Sequence, residues 1–277
     1  MLFRLLILSI FLFHGEAVFA ATDKLTVFVS IPPQKFIVEN IGGQHVQVNV
    51  MLSSGQSPET FDPSSKKIEG LADARIYFLI GVPFERVWID TLQATNKDMK
   101  MIKCYREEEI KWNHSIDFDP HVWTSPSNVK KMAEVIKSTL INEDSERKFD
   151  YENNYNQLIL KLNKLDEYIN MKLADRRTDY FIVSHAAWGS YAREYGLKQI
   201  ALESSGRESG PKSLTNILKI SDEQNIQTIF VQEQYKTPVI EALAREINAD
   251  VEILDPLAEN YIENMVIVTD KIAKAIK

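Results

Sequence analysis

The sequence predicts an α/β protein of two lobes, each with a parallel β-sheet flanked by helices, joined by one long rigid helix. Short apolar runs alternate with amphipathic stretches along the chain, which is typical of parallel sheets covered by helices. The alternation stops once, over residues 145–175, which contain neither Pro nor Gly, and then resumes. This interruption divides the predicted fold into two lobes.

In the first half of the chain, predicted strands and helices alternate. Four apolar runs are predicted strands, and the stretches between and after them have helical periodicity. The predicted strands are 25–31, 45–51, 74–80 and 100–103. The predicted helices are 34–42, 64–72, 84–94 and 127–140. These elements form the expected N-terminal lobe, residues 21–144.

The second half repeats the scheme as a C-terminal lobe, residues 176–277. Its predicted strands are 180–183, 198–201, 228–231 and 251–254. Its predicted helices are 188–195, 211–224, 238–247 and 261–276. Parallel strands need crossover connections, and these helices provide them.

The segment 145–175 between the halves is predicted to be a single amphipathic helix. Apolar residues recur in it at steps of three and four, the spacing of one helix face. They are Tyr151, Tyr155, Leu158, Leu162, Leu165, Ile169 and Leu173. A flexible linker would be rich in Gly and Ser instead. We therefore expect a stiff strut that joins the two lobes.

The N-terminus, residues 1–20, is typical of a cleavable signal peptide. Arg4 gives a basic start, residues 5–13 form an apolar core, and Ala20 is a small residue at the cleavage position. The apolar run is shorter than the roughly 20 residues of a membrane-spanning helix, although a retained anchor is the alternative. No Cys follows it, so a lipid anchor is not expected. We expect an exported, periplasmic protein.

Charge and cysteine content exclude some functions. The formal net charge is −7, which disfavours nucleic-acid binding because that function needs a basic face. Cys104 is the only cysteine, so the chain can form no internal disulfide. Export without disulfides fits a bacterial periplasm better than a small secreted scaffold.

Four potential metal ligands lie where predicted strands give way to loops or helices: Glu59, His121, His185 and Asp255. Two fall in each half, as a divalent ion held between two lobes would require. Zinc fingers instead take their ligands in closely spaced pairs. Asp255 precedes a Pro, a position that is also typical of an Asx turn. Histidine ligands must be neutral to bind, so we expect affinity to fall below about pH 6.

The segments around these residues resemble the zinc- and manganese-binding periplasmic substrate-binding proteins of bacterial ABC importers. These belong to the cluster A-I type, in which a single backbone helix joins two lobes. The segments are 55–63 (GQSPETFDP), 119–126 (DPHVWTSP), 184–197 (SHAAWGSYAREYGL) and 254–257 (LDPL). The resemblance covers nearly all of the chain after residue 20. It implies a monomeric carrier that catalyses no reaction and delivers metal to a membrane permease with a cytoplasmic ATPase.

The chain departs from the family pattern at Glu59, where the family's first ligand is normally His. A carboxylate can still coordinate, but it moves the preference of the site toward harder metals. We expect zinc slightly ahead of manganese, with iron(II) third. Alternatively, Glu59 does not bind and the site has three protein ligands.

Two rival functions follow from the same residues. In a metal-dependent hydrolase, His121, His185 and Asp255 would hold the metal and Glu59 would act as general base. The chain has no His-Glu-x-x-His or Gly-x-Ser-x-Gly motif, which disfavours this. A carrier of a metal chelate or cobalamin is the third option, and the ligand motifs disfavour it.

Overall fold

The computed structural model describes residues 24–53, 55–105, 119–204, 207–208, 210–235 and 237–277. The predicted signal peptide lies outside these ranges. Within them, no helix has the length and apolar character that a membrane crossing requires.

The N-terminal lobe contains a four-stranded sheet in the order β2-β1-β3-β4, and every pair in it is parallel. Its strands are β1 Leu25–Val29, β2 Val46–Val50, β3 Ile76–Leu79 and β4 Lys100–Lys103. The described helices of this lobe are α1 Pro32–Gly42, α2 Ser65–Glu69, α3 Pro83–Thr95 and α4 Pro126–Glu143. The central strands β1 and β3 are largely buried, as expected for a parallel sheet with helices on its faces, whereas the edge strands β2 and β4 are partly exposed.

The C-terminal lobe contains a second sheet in the order β7-β6-β5-β8-β9. Its strands are β5 Tyr180–His185, β6 Lys198–Ser204, β7 Arg207–Glu208, β8 Thr228–Val231 and β9 Asp250–Ile253. Four of them are parallel, and the two-residue β7 pairs antiparallel at the edge. The described helices are α6 Gly189–Glu194, α7 Pro211–Glu223, α8 Pro238–Glu246 and α9 Tyr261–Ala275.

A single long helix, α5 Lys148–Leu173, joins the lobes. Its 26 residues span about 39 Å at a rise of 1.5 Å per residue. It packs against α1 and α4 of the N-terminal lobe and against α9 of the C-terminal lobe. Of the seven residues predicted for its apolar face, six are buried and Tyr155 is half-buried. The predicted fold class and strut are confirmed.

One continuous hydrophobic core runs through both lobes. It includes the strands of the first sheet, the buried face of α5 and the inner face of the second sheet, where Phe181 and Val183 lie. Ile182 points to the opposite face and joins a smaller cluster under α7 and α8. Successive side chains of β5 therefore point alternately into the core that both lobes share and into the smaller cluster of the C-terminal lobe.

The ends of several elements differ from the sequence prediction. The helix predicted for 145–175 begins at Lys148, after a single 3₁₀ turn, and ends at Leu173. Strand β6 extends to Ser204, three residues beyond the predicted end at 201. The extension places Glu203 in the sheet, in register with His185 of β5.

Candidate metal centre

The structure brings together three of the four predicted ligands: Glu59, His121 and His185. One potential ligand atom from each lies within 4.8 Å of the others. Glu59 Oε1 is 3.0 Å from His185 Nε2, and the Nε2 atoms of the two histidines are 3.3 Å apart. Two donors bound to one tetrahedral zinc ion are about 3.3 Å apart, given zinc–ligand bonds near 2.0–2.1 Å. The separations of Glu59 and His121 from His185 therefore fit ligands of one shared metal ion.

His121 comes from the N-terminal lobe, in the loop that leads through the turn Val122–Thr124 into α4. Asp119 Oδ1 accepts hydrogen bonds from both the backbone N–H of His121, at 3.0 Å, and its Nδ1, at 2.9 Å. Thr124 Oγ1 donates to the His121 carbonyl. With Nδ1 bonded to a carboxylate, Nε2 is the nitrogen left for a metal.

His185 is the last residue of β5, at the carboxyl end of the second sheet, and its side chain is buried. The parallel register places Glu203 of β6 directly beside it. Glu203 Oε2 is 2.9 Å from His185 Nδ1, the same carboxylate–histidine arrangement that Asp119 makes with His121. Both histidines thus present Nε2 to one point between the lobes, and the supporting carboxylates fix their orientation.

Tyr235, in the turn after β8, completes the cluster. Its ring stacks on the imidazole of His185, with centroids 4.5 Å apart and an angle of 5° between the planes. Its hydroxyl donates to Glu59 Oε2 at 2.5 Å and lies 2.9 Å from Ser57 Oγ. Because Ser57 and Glu59 belong to the N-terminal lobe, Tyr235 also links the two lobes at the site.

The carboxylates around His185 favour its protonated form in the metal-free cluster. Burial opposes charge on His185, but hydrogen bonds to Glu203 and Glu59 outweigh it and raise the pKa of this histidine to about 9. Burial likewise opposes charge on Glu59, yet its contacts with His185 and Tyr235 lower its pKa overall. The expected fall in metal affinity below about pH 6 assumed ordinary histidines, and the raised pKa of His185 predicts that the fall begins at higher pH.

The structure does not bring Asp255 into this group. Its side chain is exposed, and Oδ1 accepts the N–H of Leu257 at 2.8 Å, which makes the Asx turn that the sequence also allowed. The segment is nevertheless held near the site, because Trp123 Nε1 donates to the carbonyl of Pro256 at 2.6 Å. The ring of Trp123 lies 5.2 Å from that of His121.

A cavity of about 790 Å³ adjoins the cluster on the side of Glu59 and Tyr235. Glu59, Tyr235 and Glu203 contribute to its wall, together with apolar residues such as Phe61 and Leu202. His121 and His185 are not among the residues that line it. Glu59 and Tyr235 therefore belong both to the wall of this cavity and to the contacts of His185.

Comparison with known proteins agrees with this geometry. The family model described as ZnuA, zinc-uptake complex component A, periplasmic, matches residues 27–275. The chain belongs to the ZnuA family. The resemblance inferred from the four sequence segments is confirmed.

Individual relatives match along most of the chain. A putative metal-binding protein of Chlamydia muridarum is 29% identical over 284 residues, covering 98% of this chain and 99% of the relative. The high-affinity zinc uptake system protein ZnuA of Bacillus subtilis is 27% identical over 253 residues, and the match covers 85% of this chain and 79% of the relative.

Two crystal structures show the same fold. One of ZnuA is 35% identical with a TM-score of 0.88, covering 92% of this chain and 100% of that one. A zinc-bound ZnuA deletion mutant is 34% identical with a TM-score of 0.84, and the match covers 92% of this chain and 99% of that one.

Three supporting residues were not predicted from the sequence: Asp119, Glu203 and Tyr235. Asp119 stands two residues before His121, and that spacing was the one available signal. Glu203 required the longer strand β6 and its register with β5. Tyr235 lies in the turn after β8, and its contact with Glu59 of the other lobe has no signal in the local sequence.

Proposed function

We propose that this protein captures a divalent transition metal, zinc before manganese and iron(II), in the periplasm and delivers it to an ABC importer. The observation that carries the proposal is the convergence of Glu59 Oε1 and two Nε2 atoms between the lobes. Two imidazoles and a carboxylate are ligands that zinc accepts. Family membership and the zinc-bound ZnuA structure support the same cargo.

The charge of the site suits a cation. Glu59, Asp119 and Glu203 surround two histidines whose Nε2 atoms must be neutral to bind. A divalent ion offsets this negative charge and replaces the proton that His185 holds in its absence. The mildly acidic whole chain, with net charge −7, adds to the attraction.

The proposed ligand set is Glu59, His121, His185 and Asp255. Since Leu257 N–H occupies Oδ1 of Asp255, the metal would be bound by Oδ2. The bond from Trp123 to Pro256 supports this assignment, because it ties the Asp255 segment to the neighbour of His121.

The proposed activity is carriage without catalysis. The hydrolase alternative required Glu59 to be a free general base, but Glu59 is bonded to His185 and Tyr235. The proposed partners are an inner-membrane permease with its cytoplasmic ATPase, and the proposed form is an exported monomer. The core shared by both lobes implies a small lobe movement on metal binding rather than a wide hinge closure.

Calorimetric titration of the metal-stripped protein, without residues 1–20, tests this function. We expect tight one-to-one binding of Zn²⁺ and weaker binding of Mn²⁺. His185→Ala should weaken zinc binding by more than about 100-fold, because loss of a ligand exceeds the 10–100-fold effect of losing a supporting residue.

His45→Ala is the matched control, because His45 pairs with Asp150 outside the cluster. It should bind zinc normally. Glu59→Ala and Asp255→Ala test the two carboxylate ligands individually, and a variant with unchanged affinity would remove that residue from the set. If the unaltered protein binds neither ion, the proposed function is wrong.

A further inference from the structure

We infer that Tyr235 is a positioning residue that restricts Glu59 to coordination through one oxygen, and that it thereby favours zinc over manganese. The inference rests on the proposed function, because it concerns selectivity at the same site. The two carboxylate oxygens of Glu59 have different partners, and this difference is the basis of the inference.

The two carboxylate oxygens of Glu59 face different partners. Oε1 lies 3.0 Å from His185 Nε2, on the side of the histidine nitrogens. Oε2 accepts the hydrogen bond from the Tyr235 hydroxyl at 2.5 Å. The hydrogen bond occupies a lone pair of Oε2 and favours the carboxylate orientation in which Oε1 faces the histidine nitrogens. Glu59 is therefore set up to offer one oxygen and to withhold the other.

Tyr235 is itself held firmly enough to act in this way. Its ring lies flat against His185, so the phenol and one metal ligand are fixed relative to each other. Ser57 Oγ contacts the same hydroxyl at 2.9 Å and also accepts the backbone N–H of Glu59 at 3.2 Å. From this fixed position the hydroxyl donates to Glu59.

The position of Tyr235 also limits the access of water to the ligands. Tyr235 and Glu59 line the cavity of about 790 Å³, whereas the two histidines do not. Tyr235 and Glu59 thus form part of the cavity wall beside the ligand nitrogens, as do Ser184 and Glu203. The same contact therefore withholds a second carboxylate oxygen and narrows the approach of water on this side.

These two effects act on coordination number, which separates the candidate metals. Zinc is satisfied by four ligands in a tetrahedron. Manganese(II) favours oxygen-rich, six-coordinate surroundings, which a second carboxylate oxygen and water would supply. Holding Glu59 to one oxygen therefore offsets part of the shift toward manganese that a carboxylate in place of His would cause.

Tyr235→Phe tests the inference, since it keeps the stacked ring and removes only the hydroxyl. Zn²⁺ and Mn²⁺ affinities are measured by competition titration, and the coordination of bound zinc by X-ray absorption. We expect the preference for zinc over manganese to narrow by about tenfold, the lower end of the effect of a supporting residue. We also expect the mean number of zinc ligands to rise. Ser57→Ala, which leaves the Tyr235–Glu59 bond in place but removes its second anchor, should shift both readouts in the same direction and less.

Tyr168→Phe is the matched control, because Tyr168 also donates to a carboxylate, Asp270, at 2.7 Å but lies on α5 away from the site. It should leave both affinities unchanged. Unchanged selectivity in Tyr235→Phe, or an equal loss for both metals with unaltered zinc coordination, would overturn the inference and leave the carrier function standing. An unaltered protein that bound no metal would refute the proposed function itself, and this inference with it.

Discussion

Zinc binding at pH 7.5 should release about one proton from His185. In the metal-free protein this histidine contacts Glu203 through Nδ1 and Glu59 through Nε2. Both contacts favour the charged imidazolium, and they raise its pKa to about 9 despite burial. A zinc ion must bind Nε2, so it displaces the proton held there.

The magnitude follows from the pKa. At pH 7.5 a group with a pKa of about 9 is almost fully protonated, whereas an ordinary histidine, with a pKa of about 6.5, carries roughly a tenth of a proton. Metal binding therefore releases roughly one proton in the first case and almost none in the second. The apparent zinc affinity should fall about tenfold for each pH unit below 9 from this group alone.

The assay is calorimetry of zinc binding in several buffers of different ionisation enthalpy, with the slope giving the number of protons released. Glu203→Gln removes one carboxylate that stabilises the imidazolium, so the number released should fall below one. Glu233→Gln makes the same substitution at an exposed residue near the site and should leave the number unchanged. Tight zinc binding with no proton release at pH 7.5 would refute the reasoning, because His185 would then be neutral before metal arrives.

Three further outcomes follow from contacts elsewhere. Asp119→Asn should weaken zinc binding by about 10–100-fold in the same titration, since Asp119 orients the His121 ring; an unchanged affinity would contradict that role. Leu162→Ala should lower the free energy of unfolding by about 2–5 kcal/mol in urea, against less than about 0.5 kcal/mol for Leu160→Ala, because Leu162 is fully buried and Leu160 is 54% exposed. Burial raises the pKa of Glu85 to about 7, so its contribution to stability is complete below pH 4.5 and is lost as the pH rises through 7. The free energy of unfolding of Glu85→Gln, relative to that of the unaltered protein, should therefore rise by about 3 kcal/mol from pH 4 to pH 8. If the two proteins have the same pH dependence of stability, the pKa of Glu85 is ordinary.

The fold could be predicted from the sequence because its signals are local. Buried parallel strands are short continuous apolar runs, and the strut shows a helical repeat over residues 151–173. The predicted ends of helices and strands were less accurate, because a strand ends where its pairing with a neighbouring strand ends. That pairing depends on residues far away in the sequence. Strand β6 continues to Ser204 because Glu203 and Ser204 pair with the two residues of β7, beyond its apolar part.

The candidate site was predictable only in part, for the same reason. His121 and His185 lie in recognisable local motifs, and the structure places their Nε2 atoms together. The contact between Glu59 and Tyr235 joins residues 176 positions apart and has no local signal. Asp255 lies in an equally recognisable motif, yet its assignment as a ligand stays a prediction, because the structure gives its Oδ1 to the turn at Leu257.

The core that α5 shares with both lobes has a consequence for how the chain folds. Since the inner face of the second sheet packs into the same apolar interior as the first, neither lobe is a separable folding unit. A fragment that carried one lobe would expose the apolar surface that the other lobe covers. Thermal unfolding should therefore show one cooperative transition rather than two, with the small cluster under α7 and α8 as the part that can open first.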